Sequence, residues 1–300
     1  MKFTKMHGIG NDYVYVDGFA ETVDDPAALA PRIADRHYGV GGDGLILVLP
    51  PSANADAHVR MRMFNADGSE AEMCGNGIRC VAKYAYDHGL SDARPMRVQT
   101  AAGVKSIDYA IGNDGRLATA TVDMGPPILE PAQIPVELQT VPPANRAVAV
   151  SLERLVQWPA DLASDWIDTC GLDQEMTAVS MGNPHAVLFC DCTRRVPLEK
   201  IGPTLEEHPM FPERVNVHFV EVNARDEVTV RHWERGSGAT LACGTGACAV
   251  CVAGVLTGRT DRRIIAHLPG GDLTLAWRQS DDHVLMTGPA TEVFEGDWRD

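Results

Sequence analysis

The sequence predicts an α+β protein of two pseudo-twofold-related domains, each a mostly antiparallel sheet wrapped around a central helix, with the active site in the cleft between them. Three observations lead there. Cys-Gly-polar-Gly is written twice, as Cys74-Gly75-Asn76-Gly77 and as Cys243-Gly244-Thr245-Gly246. Each copy opens a helix-periodic stretch that runs to a glycine, Gly89 or Gly258. Most of the remaining chain reads as short runs of Val, Ile, Thr and Leu separated by Gly, Pro, Asn and Asp turns.

The elements follow in order. DDPAALAPRIADRH, at about 25–37, reads as a helix. RMRMFNADGSEAEMCGNG is a strand, a Gly/Ser loop and then the first cysteine, after which Ile78, Val81, Ala82 and Ala85 make an amphipathic stripe. RPMRVQTAAGVKSIDYAI and RLATATVDMG are strands. The Pro-rich stretch 126–143 marks the crossover between halves, and helices are expected at 151–157 and 161–169. EVTVRHW leads to the second cysteine, whose helix carries Ala247, Val250, Cys251 and Val255 on one stripe, and LTLAWR is a late strand.

The two halves align on each other. At an offset of 169 residues, the separation of Cys74 from Cys243, Phe64 meets Trp233, Asn65 meets Glu234 and Gly89 meets Gly258. Upstream the offset is 172, placing Asn11 over Asn183 and Gly44 over Asn216, and a short loop insertion accounts for the shift. The expected domains are 1–125, completed by a C-terminal strand at about 288–300, and 126–287.

With 300 residues, 45% hydrophobic and 22% charged, the chain has the makings of a globular protein. A formal charge of −15 argues against DNA, RNA or an anionic membrane surface as partner, since each needs a basic footprint. No window nears 18 apolar residues, and the N-terminus lacks the apolar core of a signal peptide. A cytoplasmic location is expected, with the eight cysteines mostly reduced.

A cysteine at the start of a helix sits beside unpaired N–H groups and the positive end of the helix dipole, so its thiolate is expected to be favoured. The adjoining glycines let an anion approach the backbone closely. Two such sites facing each other suit removal of a proton from one face of a carbon beside a carboxylate and its return to the other face, which is racemisation or epimerisation.

The stretches KMHGIGNDYVYVD, FNADGSEAEMCGNGIRC, SMGNPHAV, RVNVHFV and WERGSGATLACGTGACA closely resemble diaminopimelate epimerases, and the resemblance covers nearly the whole chain. It implies epimerisation of LL-2,6-diaminopimelate to the meso form in lysine and peptidoglycan-precursor synthesis, without cofactor or metal, by a homodimer acting on a small molecule. Carried over by motif, Cys74 and Cys243 become the acid–base pair. Gly75, Asn76, Gly244 and Thr245 become the carboxylate cradle. Asn11, Asn65, Asn183, Asn216, Glu234 and Arg235 become substrate contacts, and His185 with Glu234 tunes the thiols. Proline racemases share the two-cysteine design but carry His where Asn76 stands. The pattern departs at Gly44, where many members carry Gln, leaving that contact to Asn216. The segment within 138–178 is longer than the family needs, and QWPADLASDW receives no role.

Cys248-Ala-Val-Cys251 and Cys190-Asp-Cys192 raise zinc or disulfide readings, which favour a redox or zinc-binding protein. No second CxxC completes a zinc site, so these thiols, with Cys80 and Cys170, are expected to be small core residues. The Gly-rich stretch at 39–44 lacks the following amphipathic helix of a dinucleotide fold. A racemase for another amino acid stands as the rival enzyme reading.

Overall fold

The computed structural model describes residues 1–138, 148–153, 156–163 and 165–299. The chain divides into two compact units, Met1–Asp123 with Thr287–Asp300, and Met124–Met286.

The first unit begins with β1 (Lys2–Gly8) and β2 (Asn11–Asp17), then α1 (Pro26–Ala34), β3 (Gly44–Leu49), β4 (Val59–Asn65) and β5 (Glu70–Ala71). Helix α2 (Gly75–Asp87) follows, then β6 (Met96–Thr100), β7 (Gly103–Ile111) and β8 (Leu117–Asp123). Neighbouring strands pair antiparallel except β2 with β3 and β4 with β6, which run parallel.

In the second unit β9 (Val150–Ser151) and α3 (Trp166–Cys170) precede β10 (Glu175–Ser180), β11 (Pro184–Phe189), α4 (Leu198–Glu206), β12 (Asn216–Ala224) and β13 (Glu227–Glu234). Then come β14 (Gly238–Ala239), α5 (Gly244–Leu256), β15 (Arg263–Leu268) and β16 (Gly271–Trp277), while β17 (Val284–Pro289) begins in the second unit and ends in the first. Here β11–β12 and β13–β15 are the parallel pairs, so the order of parallel and antiparallel pairing repeats that of the first unit. The chain's end, β18 (Thr291–Asp297), returns to the first unit and pairs antiparallel with β1, Lys2 opposite Asp297.

Each cysteine-led helix is 13 residues long and ends before a left-handed glycine, Gly89 (φ 73°) and Gly258 (φ 72°). That is the backbone geometry a helix C′ position demands of glycine. The expected single apolar stripe understates both helices. From Gly75 to Ala85 every residue of α2 is buried, and α5 is buried around its whole girth from Gly246 to Gly254. Strands on several sides cover each helix, so burial is no longer confined to one face.

Two charged side chains inside α2 survive burial because they are paired. Lys83 Nζ donates to Asp87 Oδ2 and to the Leu117 carbonyl, both at 2.7 Å, and Asp87 Oδ1 accepts the Leu117 N–H at 2.8 Å. This clamp ties α2 to β8. Lys83→Met strands the Asp87 carboxylate, and the expected cost is about 3–5 kcal/mol in chemical denaturation. Adding Asp87→Leu removes the stranded charge and should recover part of that loss, the rest staying with the Leu117 N–H and carbonyl that lose these partners. A single variant as stable as wild type would show that the clamp carries no weight.

The expected helix at 151–157 is not formed among the described residues. Val150 and Ser151 pair with β10 instead, and positions 154 and 155 lie outside the described residues. Of the helix expected at 161–169, only Trp166–Cys170 forms, closed by Gly171 at φ 61°. Of the Pro-rich crossover at 126–143, residues 139–143 lie outside the described residues. The segment given no role from sequence supplies Trp158 and Trp166, whose rings meet edge to face at 5.1 Å against the core of Leu152, Met176, Leu188, Ile201 and Leu205. Cys80, Cys170, Cys248 and Cys251 are fully buried and unbridged, as expected, while Cys192 is partly exposed.

Candidate active site

Both motif cysteines are helix N-caps with extended backbone, Cys74 at φ −131° and Cys243 at φ −121°. Extended geometry at that position turns the side chain back over the first helical turn. Cys74 Sγ accepts the Gly77 N–H at 3.3 Å and lies 3.4 Å from Asn11 Oδ1, to which its S–H donates. The Asn11 amide is held in that orientation because its Nδ2 donates to Asp43 Oδ2 at 2.7 Å, which leaves the carbonyl turned to the sulfur. Asp43 is held in turn by Arg36, which also grips Asp12 through both terminal nitrogens.

Asn76 is buried, and its Oδ1 accepts from Arg79 at 3.1 Å. Arg79, also wholly buried, reaches the Gly75 and Pro289 carbonyls. Asn65 donates to Ser69 Oγ at 3.0 Å at the head of the loop leading to Cys74. Gly44 lies opposite Asn65 on the β3–β4 pair, and a Cβ there would sit 2.0 Å from the Phe64 carbonyl oxygen. A side chain does not fit this backbone, so Gly44 offers no contact of its own.

In the second unit Cys243 is only 4% exposed, with the Thr245 hydroxyl 3.8 Å from its sulfur. Here the expected drop in thiol pKa is reversed. Burial pushes the Cys243 thiol well up, and the Glu234 carboxylate pushes it further. The Gly246 N–H and Thr245 hydroxyl pull the other way and lose, because desolvating a thiolate outweighs a helix end. Thr240 donates to Glu234 and accepts from His232 Nε2 at 2.8 Å.

His185 is fully buried between Asn183 and His218: its Nε2 lies 3.0 Å from Asn183 Oδ1 and its Nδ1 2.9 Å from His218 Nε2. Donation to Asn183 fixes the His185 proton on Nε2, so Nδ1 accepts from His218. Burial drives the His185 pKa down to about 3 and that of His232 to about 4, with His218 also well below its ordinary value. All three are neutral imidazoles at neutral pH.

Asn216 acts as a brace, donating to the Pro184 carbonyl at 2.9 Å and accepting the Arg235 N–H at 3.0 Å. The Arg235 side chain is exposed and bonds the Glu213 carbonyl at 2.9 Å. Glu206, near the end of α4, accepts the Trp233 indole N–H at 2.7 Å and the Gly236 N–H at 2.8 Å, which sets the loop before Cys243.

Within each unit the structure therefore gathers Asn11 near Cys74, and His185, Glu234 and Thr245 near Cys243, while Asn76, Asn65 and Asn216 are committed to neighbours in the fold. Asp43, Arg79, Glu206, His218, His232 and Thr240 join these sites although no motif in the sequence marks them. The two histidines lie on the inward-facing strands VNVHFV and VTVRHW, where the apolar run announces burial but not the pairing of one histidine with another.

A family model described as diaminopimelate epimerase matches residues 3–130 and 177–293. Curated diaminopimelate epimerases from Desulfovibrio desulfuricans and Acetivibrio thermocellus are 51% and 48% identical to the chain. Each match covers 99% of this chain and 98% of the relative. Among solved structures, a phenazine biosynthesis protein of the PhzF family from Bacillus anthracis superposes with a TM-score of 0.68 at 16% identity, covering 99% of this chain and 98% of that one. A hydroxyproline epimerase from Agrobacterium vitis gives 0.63 at 16% identity, covering 99% and 91%. These structural likenesses, at low identity, speak to the fold alone. Matches along nearly all of its length make this chain a member of the diaminopimelate epimerase family, and an isomerase.

Proposed function

We propose that Cys74 and Cys243 are the acid–base pair with which this epimerase converts LL-2,6-diaminopimelate to the meso form. The observation that carries the reading is positional. Each sulfur is the N-cap of a 13-residue buried helix, and the two helices occupy the same place in two units with the same order of strand pairing. One sulfur, as thiolate, takes the α-proton. The other, as thiol, delivers its proton to the opposite face of the same carbon, and the configuration inverts. The high pKa of Cys243 suits it to start as the donor, and Cys74 becomes the base once it gives up the proton it shares with Asn11 Oδ1.

Backbone N–H groups at Gly75, Asn76, Gly244 and Thr245 cradle the reacting carboxylate, where negative charge grows in the transition state. Asn11, Asn65, Asn183, Asn216, Glu234 and Arg235 frame the substrate, with Asn65 and Asn216 acting chiefly by holding their loops. His185 and Glu234 set the proton affinity of Cys243. We further infer a homodimer working in the cytoplasm. Free thiols fit a reducing compartment, and no helix among the described residues is long and apolar enough to cross a membrane.

The test is incubation of the LL isomer with the enzyme in D2O with no cofactor added. The expected result is meso product carrying deuterium at the inverted carbon. Meso product that keeps the original hydrogen would overturn the thiol mechanism, and turnover of other amino acids in place of diaminopimelate would overturn the substrate.

A further inference from the structure

Sequence reading places metal binding, if anywhere, at the CxxC and CxC cysteines. The structure assembles a different set. One nitrogen each of His185 and His218 and the sulfur of Cys243 all lie within 4.8 Å of one another, and all three residues are buried. We propose that these three side chains form an inhibitory site for a borderline-soft divalent cation of the zinc class.

Ligand chemistry fits the cation. Two imidazoles and a thiolate are the donors zinc prefers over magnesium or calcium, and three protein ligands leave a fourth position for water. With metal–nitrogen bonds of about 2.0–2.1 Å and a metal–sulfur bond of about 2.3 Å, tetrahedral ligand atoms stand roughly 3.5 Å apart. The His185–His218 nitrogens, at 2.9 Å, need to part by only a fraction of an ångström.

Proton placement fits as well. His185 has its Nε2–H engaged with Asn183 Oδ1, the outer hydrogen bond that metal-binding histidines characteristically make, and this leaves Nδ1 as a lone-pair donor. His218 holds its proton on Nε2 in the metal-free protein, while its Nδ1 is buried with no hydrogen-bond partner. Moving that proton to Nδ1 turns the Nε2 lone pair to the metal and leaves a buried N–H without an acceptor, a cost the metal–nitrogen bond has to exceed. The thiol proton of Cys243 leaves to solvent, so binding one cation releases one proton. The His218 ring can lie against the first turn of α5 only because residue 246 is glycine; a Cβ there would sit 2.1 Å from Cε1.

The metal site stands on geometry alone. Its inhibitory effect rests on the reading of Cys243 as an acid–base group, since a metal-bound sulfur cannot exchange a proton with substrate. The experiment separates the two. Reduced enzyme freed of metal by a chelator is titrated with Co2+ under anaerobic conditions, then with Zn2+. The expected result is one Co2+ per chain with a sulfur-to-cobalt charge-transfer band, displaced by Zn2+, with epimerisation lost on zinc binding and restored by chelator. His218→Gln should weaken binding at least ~10-fold, and Cys243→Ala should abolish the band. In the wild-type protein, which avoids any folding defect in the variants, Zn2+ should protect Cys243 from iodoacetamide as read by mass spectrometry. Absence of a stoichiometric band, its survival in Cys243→Ala, or unprotected Cys243 would overturn the site. A cobalt band with no effect of zinc on turnover would leave the site standing and overturn the role of Cys243.

Discussion

Cys74→Ala and Cys243→Ala are each expected to lower epimerisation by about 10³-fold or more, within the range that general acid–base groups supply; that is roughly 4 kcal/mol of transition-state stabilisation. The losses should not be alike. With one thiol removed, the other can still withdraw a proton from the face it serves and return a solvent deuteron to that same face. Each single variant should therefore wash out the α-hydrogen of one stereoisomer without inverting it, and the two variants should choose opposite stereoisomers. The double variant should do neither. Proton NMR in D2O with the LL and meso isomers reads all of these outcomes. A single variant that still inverts at near wild-type rate would show that another group does the work attributed to the missing sulfur.

The second large effect is acid instability of the unit holding Cys243. His185, His218 and His232 are neutral in the folded protein because burial holds their pKa values far below the ordinary 6.5, at about 3 for His185 and about 4 for His232. The unfolded chain takes up protons at these residues near 6.5, so unfolding binds protons and acid favours it. Stability is fully present above about pH 6.5 and falls as the pH drops from there toward the folded-state values. Each histidine contributes a slope of roughly 1.4 kcal/mol per pH unit, and the three together approach 4. Carboxylates with depressed pKa values, such as Asp12, act in the same direction but at lower pH. Denaturation midpoints measured from pH 7.5 to 4.5 should show the decline, and His232→Val should flatten it by about a third. A midpoint that stays constant down to pH 5 would mean that the cluster opens to water or gains a proton without unfolding.

Much of this was legible in the chain because the repeat is legible. The offset of 169 carries α2 onto α5 residue for residue, and the offset of 172 carries β3 onto the start of β12. The same 172 also carries α1 onto α4, Pro31 falling on Pro203, yet nothing local in the sequence marks α4. LEKIGPTLE holds Gly202 and Pro203 mid-run, and local rules treat both as breakers. Gly202 is there because the Trp233 ring packs against it, where a Cβ would come within 2.6 Å, and only the folded chain brings those two residues together. The environment of the thiols is hidden from sequence for a related reason. Position at a helix start is visible in sequence, whereas the depth of burial that raises the Cys243 pKa is a property of everything packed around it. Glu206, His218 and Thr240 escaped notice because their partners lie on other strands and helices.

The two sulfurs share a scaffold but not a setting: a neutral amide, Asn11, faces Cys74, and a carboxylate, Glu234, faces Cys243. A duplicated framework has thus been given unequal chemical hands. Were the two sulfurs the proton carriers we propose, these unequal settings would favour one resting proton distribution over its mirror, and the catalyst would be lopsided even though the reaction it performs is close to symmetric.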